Sequence, residues 1–575
     1  MGMRRSRRHL LKKYGGTNMK KKQVLGIFLS AAVALSALTG CGGKAETGKE
    51  GSSEKEGLAA VESQAEEKDN AAAGEAKYKR NEEGYPDLQG ETFTIWFAMT
   101  GANAQNTNDM ENYEAIQQLE EKFNCKFSFV HPPVGQEKDN FTIMMADSTL
   151  PDMIFCGGID SYYPGGVEMA LEDGVLYDYT DKINAVDTPN FYKIIQNDEF
   201  MKKAVTDDEG RIIRLGAKIC GSEEADLSYQ GLMIRKDYLE QTGMDVPVTI
   251  DDWTKMLAAM KANGVEYPLA LDKEDKAVTT SVFSAAYGIG SQFYVKEDGN
   301  VGYGPYEDAY KDLLTTLNCW YKEGYMNPDF STQTGDAVMS LAASDRVGSS
   351  ILHLYTYGTT YYVTTESKDE SKALIPAPTP VLNESDTPRM RQSSRQLGDY
   401  KYITADAKNP DACIALLDAL YLEDINFMLA NGIEGKGYEM VDGVPILTRL
   451  TADTPSEIYL ASCPQQWHTY EDTDLDYILT KKYNLGSQPD ALLMWKEEKT
   501  DGQLSNFILF NTEESERKGR YQADIDTYVE EMSLKFIMGI EPLDSFEEFR
   551  QNLRDLHIED MIQIRQDAME RYNSR

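Results

Sequence analysis

Thr92-Phe93-Thr94-Ile95-Trp96-Phe97 consists only of β-branched and aromatic residues and reads as a strand. The chain around it supplies the rest of a pattern. Asn112 to Phe123 sets Tyr113, Ile116, Leu119 and Phe123 at helical spacing. Lys126-Phe127-Ser128-Phe129-Val130 is a second strand, stopped by Pro132-Pro133, and Phe141 to Ala146 suits a short helix. Asp152-Met153-Ile154-Phe155 is a third strand, opening into Gly157-Gly158. Strand, helix, strand, helix, strand predicts a mostly parallel sheet with helices on its faces, an α/β fold.

The pattern continues downstream. Leu232-Met233-Ile234 reads as a strand, and Asp237 to Thr242 as a short helix ended by Gly243. Thr249 reads as the N-cap of a helix running to about Asn263, with Asp251 and Asp252 in its first turn. An amphipathic helix is expected over Tyr306 to Lys322 and, after Pro410, a buried helix over Asp411 to Leu422. The end, Phe546 to Tyr572, reads as two helices split near His557. From Pro86 onward the chain is long enough for two lobes with separate cores.

The front of the chain is different. Met19 is followed by Lys20, Lys21 and Lys22, then by an apolar run of 15 residues from Val24 to Leu38, then by Leu38-Thr39-Gly40-Cys41. A basic flank, a short apolar core and small residues make a secretory signal. The run is shorter than the roughly 20 residues a helix needs to span the hydrocarbon core. Leu-Thr-Gly-Cys resembles the bacterial lipobox, which implies cleavage before Cys41 and a lipid on its sulfur. Residues 1–40 are thus expected to be a signal peptide, with Met19 as the start; a long basic n-region is the alternative. Residues 41–85, rich in Gly, Ala, Ser, Glu and Lys, read as a flexible tether from that anchor.

Composition narrows the function classes. Asp and Glu number 95 against 58 Lys and Arg, a net charge of −37, and nine of those basic residues precede Cys41. So acidic a body is repelled by nucleic acid and by anionic lipid, which leaves the lipid anchor as the one contact with a membrane. Of the cysteines after Cys41 (Cys125, Cys156, Cys220, Cys319, Cys413 and Cys463), none form a CxxC pair, and buried free thiols are expected. No HExxH, P-loop or GxSxG is present. Asp472, Asp474 and Asp476 alternate like the start of a calcium loop, but Tyr477 and Tyr483 stand where the loop needs Gly and Glu. No metal, cofactor or catalytic group is expected.

Five stretches stand out together: Met145-Ala146-Asp147-Ser148-Thr149-Leu150-Pro151-Asp152-Met153-Ile154; Ile234-Arg235-Lys236-Asp237-Tyr238-Leu239 with Gly243, Pro247, Thr249 and Trp253; Trp320 to Asp329; Asn431 to Glu439 with Asp442-Gly443; and Phe536 to Gly539 with Gln566 to Tyr572. They are similar to the extracellular solute-binding lipoproteins of carbohydrate ABC importers, family 1, large Gram-positive type. Tyr238 stands where the family usually has Trp. The order of these elements across Glu91 to Tyr572, behind a lipobox, makes the joint match specific.

The resemblance implies a two-lobed periplasmic-binding-protein-like (type II) fold with an interlobe cleft and a hinge. Lobe 1 is expected over roughly 86–231 and 400–455, and lobe 2 over roughly 232–398 and 456–575. Hinge crossings are expected near Gly231-Leu232 and near Leu397-Gly398-Asp399. The implied function is capture of a carbohydrate, an oligosaccharide, by a monomer that closes its cleft and delivers the sugar to ABC permease subunits at the outer face of the cell membrane. The competing readings are a surface-anchored glycoside hydrolase, and a binding protein for a non-sugar solute or a sensor.

Aromatics are abundant, with 34 Tyr, 19 Phe and 5 Trp, and a sugar offers apolar C–H faces for them to stack on. Strand carboxyl ends face the cleft in such sheets. These two considerations select Trp96 near the end of the first strand; Asp160, Tyr162 and Tyr163 after the third; Tyr287, Gln292 and Phe293 around Gly288 and Gly290; and Tyr355, Tyr357 and Tyr361, for which strand core is the alternative. Arg395 and Asp399 near the second crossing and Trp467 complete the candidate ligand-binding set. Trp253 and Trp320, on amphipathic helices, are expected in the core.

Overall fold

The computed structural model describes residues 76–99, 103–104, 107–146, 150–273, 281–441, 444–447, 463–464, 466–471 and 473–575. The signal segment, Cys41 and the tether up to residue 75 lie outside them, as do Asp147 to Thr149, Asp442-Gly443 and Asp472. No helix among the described residues is long and apolar enough to cross a membrane.

Strands β1 (Glu91–Phe97), β2 (Cys125–Val130) and β3 (Met153–Cys156) are parallel, as the alternation predicts, with Ile95 beside both Phe129 and Met153. The helix Glu114–Phe123 packs Ile116, Leu119 and Phe123 inward and stops at Asn124, whose left-handed backbone (φ 50°) turns the chain straight into β2. The Leu-Pro-Asp element has a physical reason. The buried Asp152 carboxylate accepts from Thr94 N at 2.8 Å, Thr94 Oγ1 at 2.7 Å and Lys408 N at 2.9 Å, tying β1, β3 and a distant loop together. Burial alone would raise its pKa; these donors hold it below the usual value.

Beyond them come β4 (Lys218–Cys220), β5 (Gln230–Arg235), β6 (Tyr267–Ala270), β7 (Phe293–Val295), β8 (Val301–Tyr303), β9 (Val347–His353), β10 (Leu374–Pro376), β11 (Gln396–Gly398) and β12 (Tyr400–Ile403). The hairpin β13 (Tyr438–Val441) and β14 (Val444–Leu447) follows, and then β15 (Tyr470–Glu471). Two four-stranded sheets result, β12-β3-β1-β2 and β10-β5-β9-β6, each with its own hydrophobic core. This is a two-lobed α/β fold. The second sheet is mixed, since β5 is antiparallel to β9 and β10 while β6 is parallel to β9.

Between the lobes runs a three-stranded sheet, β11-β4-β15. Every strand in it joins the lobes: β4 leads to β5, β11 is reached from β10 and continues into β12, and β15 leads to the helix Gln488–Lys496, which packs on β10. A further passage follows, because Phe507 and Leu509 lie in the first lobe's cores while the helix Thr512–Met538 packs in the second. The tail then returns: Tyr572 joins the first core, and Arg571 and Arg575 bind Asp208.

Local signals account for many boundaries. Thr249 and Asp252 form a reciprocal capping box on the helix Ile250–Ala262, Gly243 (φ 69°) ends Lys236–Thr242, and His557 (φ 68°) separates Phe546–Asp555 from Ile558–Ser574. Arg235, 2% exposed, forks onto Asp237 and reaches Asp345, with Tyr238 packed 4.5 Å from its guanidinium. Trp253 and Trp320 are buried. Composition assigns residues 76–85 to the tether; in the structure Tyr78 is buried and Arg80 pairs with Asp418 at 3.1 Å, so this stretch is docked on the first lobe. Cys125, Cys156 and Cys413 are buried free thiols and Cys463 is buried too, whereas Cys319 is exposed because it falls on the outer face of its helix.

Candidate functional site

The carboxyl ends of β6 and β9 and the start of β5 converge on a cavity of about 690 Å³. Asp272 arrives two residues past β6, Leu352 and His353 end β9, and Gln230 begins β5. Thr334 caps the helix Gly335–Ala343 by accepting from Ala337 N, which brings Asp336 in the first turn to the wall. Arg391 and Gln392 come from the segment between β10 and β11, and Trp495 and Glu498 from the helix Gln488–Lys496 and its end.

These side chains are held in place. Arg391 is buried, pairs with Asp226 at 2.9 Å and donates through Nε to Glu498 O at 3.1 Å. Glu498 Oε1 accepts from Thr379 N at 2.8 Å, and Trp495 Nε1 donates to Ala377 O at 2.9 Å. The wall carries three carboxylates, Asp272, Asp336 and Glu498, interleaved with Met339, Ile351 and Met390. Carboxylate acceptors beside apolar patches suit a ligand that is rich in hydroxyls along its edge and apolar on its faces.

Gln392 also lines a neighbouring cavity of about 360 Å³, which opens among Gln292, Phe293, Gln503, Ser505, Asn506, Phe510 and Arg565. Two residues selected from the sequence, Gln292 and Phe293, therefore line a cavity beside the hinge.

The structure places the others elsewhere. Trp96 is 2% exposed and meets Phe141 and Tyr162 edge-on. Tyr162 stacks on Phe141, and Tyr163 donates to Asp173 at 2.6 Å. Asp160, exposed on the loop after β3, accepts from Val167 N at 3.1 Å. Tyr287 is half-buried with its hydroxyl 2.7 Å from Thr316. Tyr355 is half-buried against the second lobe. Tyr357 and Tyr361 are buried in a π-helix over Tyr357–Glu366, donating to Glu366 and to Lys372 O. Arg395 pairs with Asp198 at 2.6 Å and covers Phe200, on the first-lobe side of the hinge.

Asp399 lies in the hinge itself, with Lys218 Nζ 2.7 Å from Oδ2. Burial would raise its pKa; the Lys218 ammonium holds it below the usual value. Lys218 also meets Glu471 at 3.2 Å, and Glu471 is reached by Lys482 at 3.2 Å and His468 at 3.5 Å. Trp467 has no exposed surface and sits among Phe97, Phe127 and Phe155.

Among the described residues one acidic group, Glu168, Asp207 and Glu209, brings its oxygens within 4.8 Å of one another, on the first lobe. Burial and the neighbouring Asp208, Glu209 and Asp207 push the Glu168 carboxyl up to about 7. Asp474 of the acidic run at 472–476 caps a helical turn instead, accepting from Tyr477 N at 3.0 Å.

Comparison with known proteins agrees with this architecture. A family model described as bacterial extracellular solute-binding protein matches residues 104–426. The chain is 23% identical over 344 residues to the polygalacturonan/rhamnogalacturonan-binding protein YtcQ of Bacillus subtilis, covering 56% of this chain and 63% of YtcQ. It is 22% identical over 445 residues to Lipoprotein LipO of the same organism, covering 74% of this chain and 82% of LipO. The fold is similar to the crystal structure of an extracellular solute-binding protein from Bifidobacterium longum subsp. infantis, with a TM-score of 0.67 at 17% identity, over 86% of this chain and all of that one. With the match spanning more than half of its length, the chain belongs to the bacterial extracellular solute-binding proteins.

Proposed function

We propose that this protein is the substrate-binding lipoprotein of an ABC importer. Tethered by Cys41 to the outer face of the cell membrane, it captures an oligosaccharide as a monomer and hands it to membrane permease subunits. It performs no chemistry on its cargo. The observation that carries this reading is the pair of cavities at the hinge-proximal edge of the second lobe, walled by hydroxyl-accepting carboxylates and amides. A ligand seated there and touched by the first lobe gains contacts only when the lobes approach, so it favours the closed form by its differential contacts. The polymer named for YtcQ and the lipoprotein name of LipO support the sugar and the anchor.

A thermal-shift screen against oligosaccharides, with amino acids, peptides and nucleosides as controls, tests the ligand class. A ligand that binds only the folded state raises the melting temperature. A sugar hit should compact the protein in small-angle scattering and should remain chemically intact on incubation. A response confined to the controls would overturn the carbohydrate reading, and turnover of the sugar would overturn the transport role.

A further inference from the structure

We propose that the smaller cavity is an anion subsite, which receives the carboxylate of an acidic sugar residue at one end of an otherwise uncharged oligosaccharide. The inference rests on the carbohydrate reading above. Arg565 projects from the helix Ile558–Ser574 into this cavity and is 8% exposed. Its guanidinium stacks 3.6 Å from the Phe293 ring centre, and its hydrogen bonds go to Met561 O at 3.2 Å and Gln522 Oε1 at 2.6 Å, both uncharged. Among the described residues no carboxylate forms an ion pair with it. Lys518, half-buried on the helix Thr512–Met538, lies 4.6 Å over Phe510, whose ring lines the same cavity, and it too forms no ion pair among the described residues.

A buried guanidinium without an ion-pair partner, beside a half-buried ammonium, is costly, and a carboxylate entering the cavity would offset that cost. The planar guanidinium fork matches a carboxylate in two parallel hydrogen bonds. Gln292, Ser505 and Asn506 at the rim can bind the remaining hydroxyls. Burial depresses both cations: Arg565 to about 10, with Asp526 and Tyr303 opposing through space, and Lys518, where the Arg565 charge adds to the effect and Asp160 opposes it.

The adjoining larger cavity has the opposite character. Asp272, Asp336 and Glu498 would repel a second acidic sugar, which restricts the charge to the end seated near Arg565.

Titration calorimetry of the protein with D-glucuronate, D-glucose, glucuronamide and trigalacturonate tests this. Glucuronate should bind about tenfold or more tightly than glucose or glucuronamide, and ~0.5 M NaCl should remove the difference. Arg565→Gln should abolish the preference while Arg565→Lys retains part of it, and the salt arm stands even if a variant fails to fold. Glucuronate binding no better than glucose, or a preference unaltered by Arg565→Gln and by salt, would overturn the subsite. Trigalacturonate binding more tightly than glucuronate would overturn the restriction to one end. If glucuronate fails while neutral oligosaccharides raise the melting temperature, this inference alone falls; if no sugar binds, the carbohydrate reading falls with it.

Discussion

Gly231 lies flat against the indole of Trp495, so close that a Cβ at this position would overlap the six-membered ring. The ring cannot readily retreat, because its Nε1 is bonded to Ala377 O and its body fills the second lobe's core. Gly231→Ala should therefore destabilise the protein by about 1–3 kcal/mol, the usual cost of overpacking. It should also weaken ligand binding, since Trp495 lines the larger cavity. Gly519 makes the counterpart: it lies exposed within the helix Thr512–Met538 with nothing near its missing side chain. Gly519→Ala should stabilise by about 0.5–1 kcal/mol. Urea midpoints of the two variants should move in opposite directions; a neutral Gly231→Ala would mean that the Trp495 wall yields easily.

Asp399 joins two constraints in one hinge residue. Its backbone is left-handed, φ 44°, and its carboxylate neutralises Lys218. Asp399→Ala removes the charge and leaves a Cβ residue in that conformation; because Glu471 still faces Lys218, the expected loss is about 1–3 kcal/mol. Asp399→Asn loses the charge but tolerates the backbone, so its loss should be smaller. Equal losses in chemical denaturation would show that the conformation contributes nothing.

Lys401 predicts a pH dependence. Its Nζ is buried and donates to Gly216 O at 2.8 Å and Asp399 O at 3.0 Å. Burial pushes the ammonium down to about 7, with Asp399 opposing and Lys218 adding to the effect. Between about 7 and the ordinary value near 10.5 the unfolded chain holds a proton that the folded chain does not. Stability from this group therefore rises with pH across that window, by up to about 1.4 kcal/mol per unit, and below the window the full cost of burying the charge is present. Lys401→Met should flatten the slope measured by urea denaturation between pH 7 and 9. Parallel curves for the variant and the parent would count against it.

What the sequence made legible was local. The Thr249 cap, the Gly243 stop and the break at His557 are each decided by one or two side chains beside their own backbone. The long helix Thr512–Met538 escaped because its buried apolar residues, Ile525, Val529, Phe536 and Ile537, all lie from its midpoint onward, so its first half shows no stripe. Tyr357 and Tyr361 were ambiguous as strand core and instead fill the core from a π-helix. For the site, aromatics at strand ends were a poor guide: Trp96, Phe141 and Tyr162 satisfy one another. The cavity walls draw Asp272, Gln392, Glu498 and Arg565 from four distant segments, a convergence that no spacing along the chain reveals.

Trp467 offers a direct test of core against ligand. It is fully buried, its ring centre is 5.1 Å from those of both Phe127 and Phe155, and its indole N–H has no hydrogen-bond partner among the described residues. A tryptophan that stacks on sugar must present a face to the cleft; this one presents none. Trp467→Ala should leave a void and cost about 3–5 kcal/mol. Trp467→Phe keeps most of the packing and removes the unsatisfied donor, so it should cost less than about 1.5 kcal/mol. Sugar affinity, measured by calorimetry on the folded Trp467→Phe protein, should match the parent, because the residue acts only through the core. Weaker binding at unchanged stability would instead place Trp467 in contact with ligand, and would require the first lobe to open around it when the cleft closes.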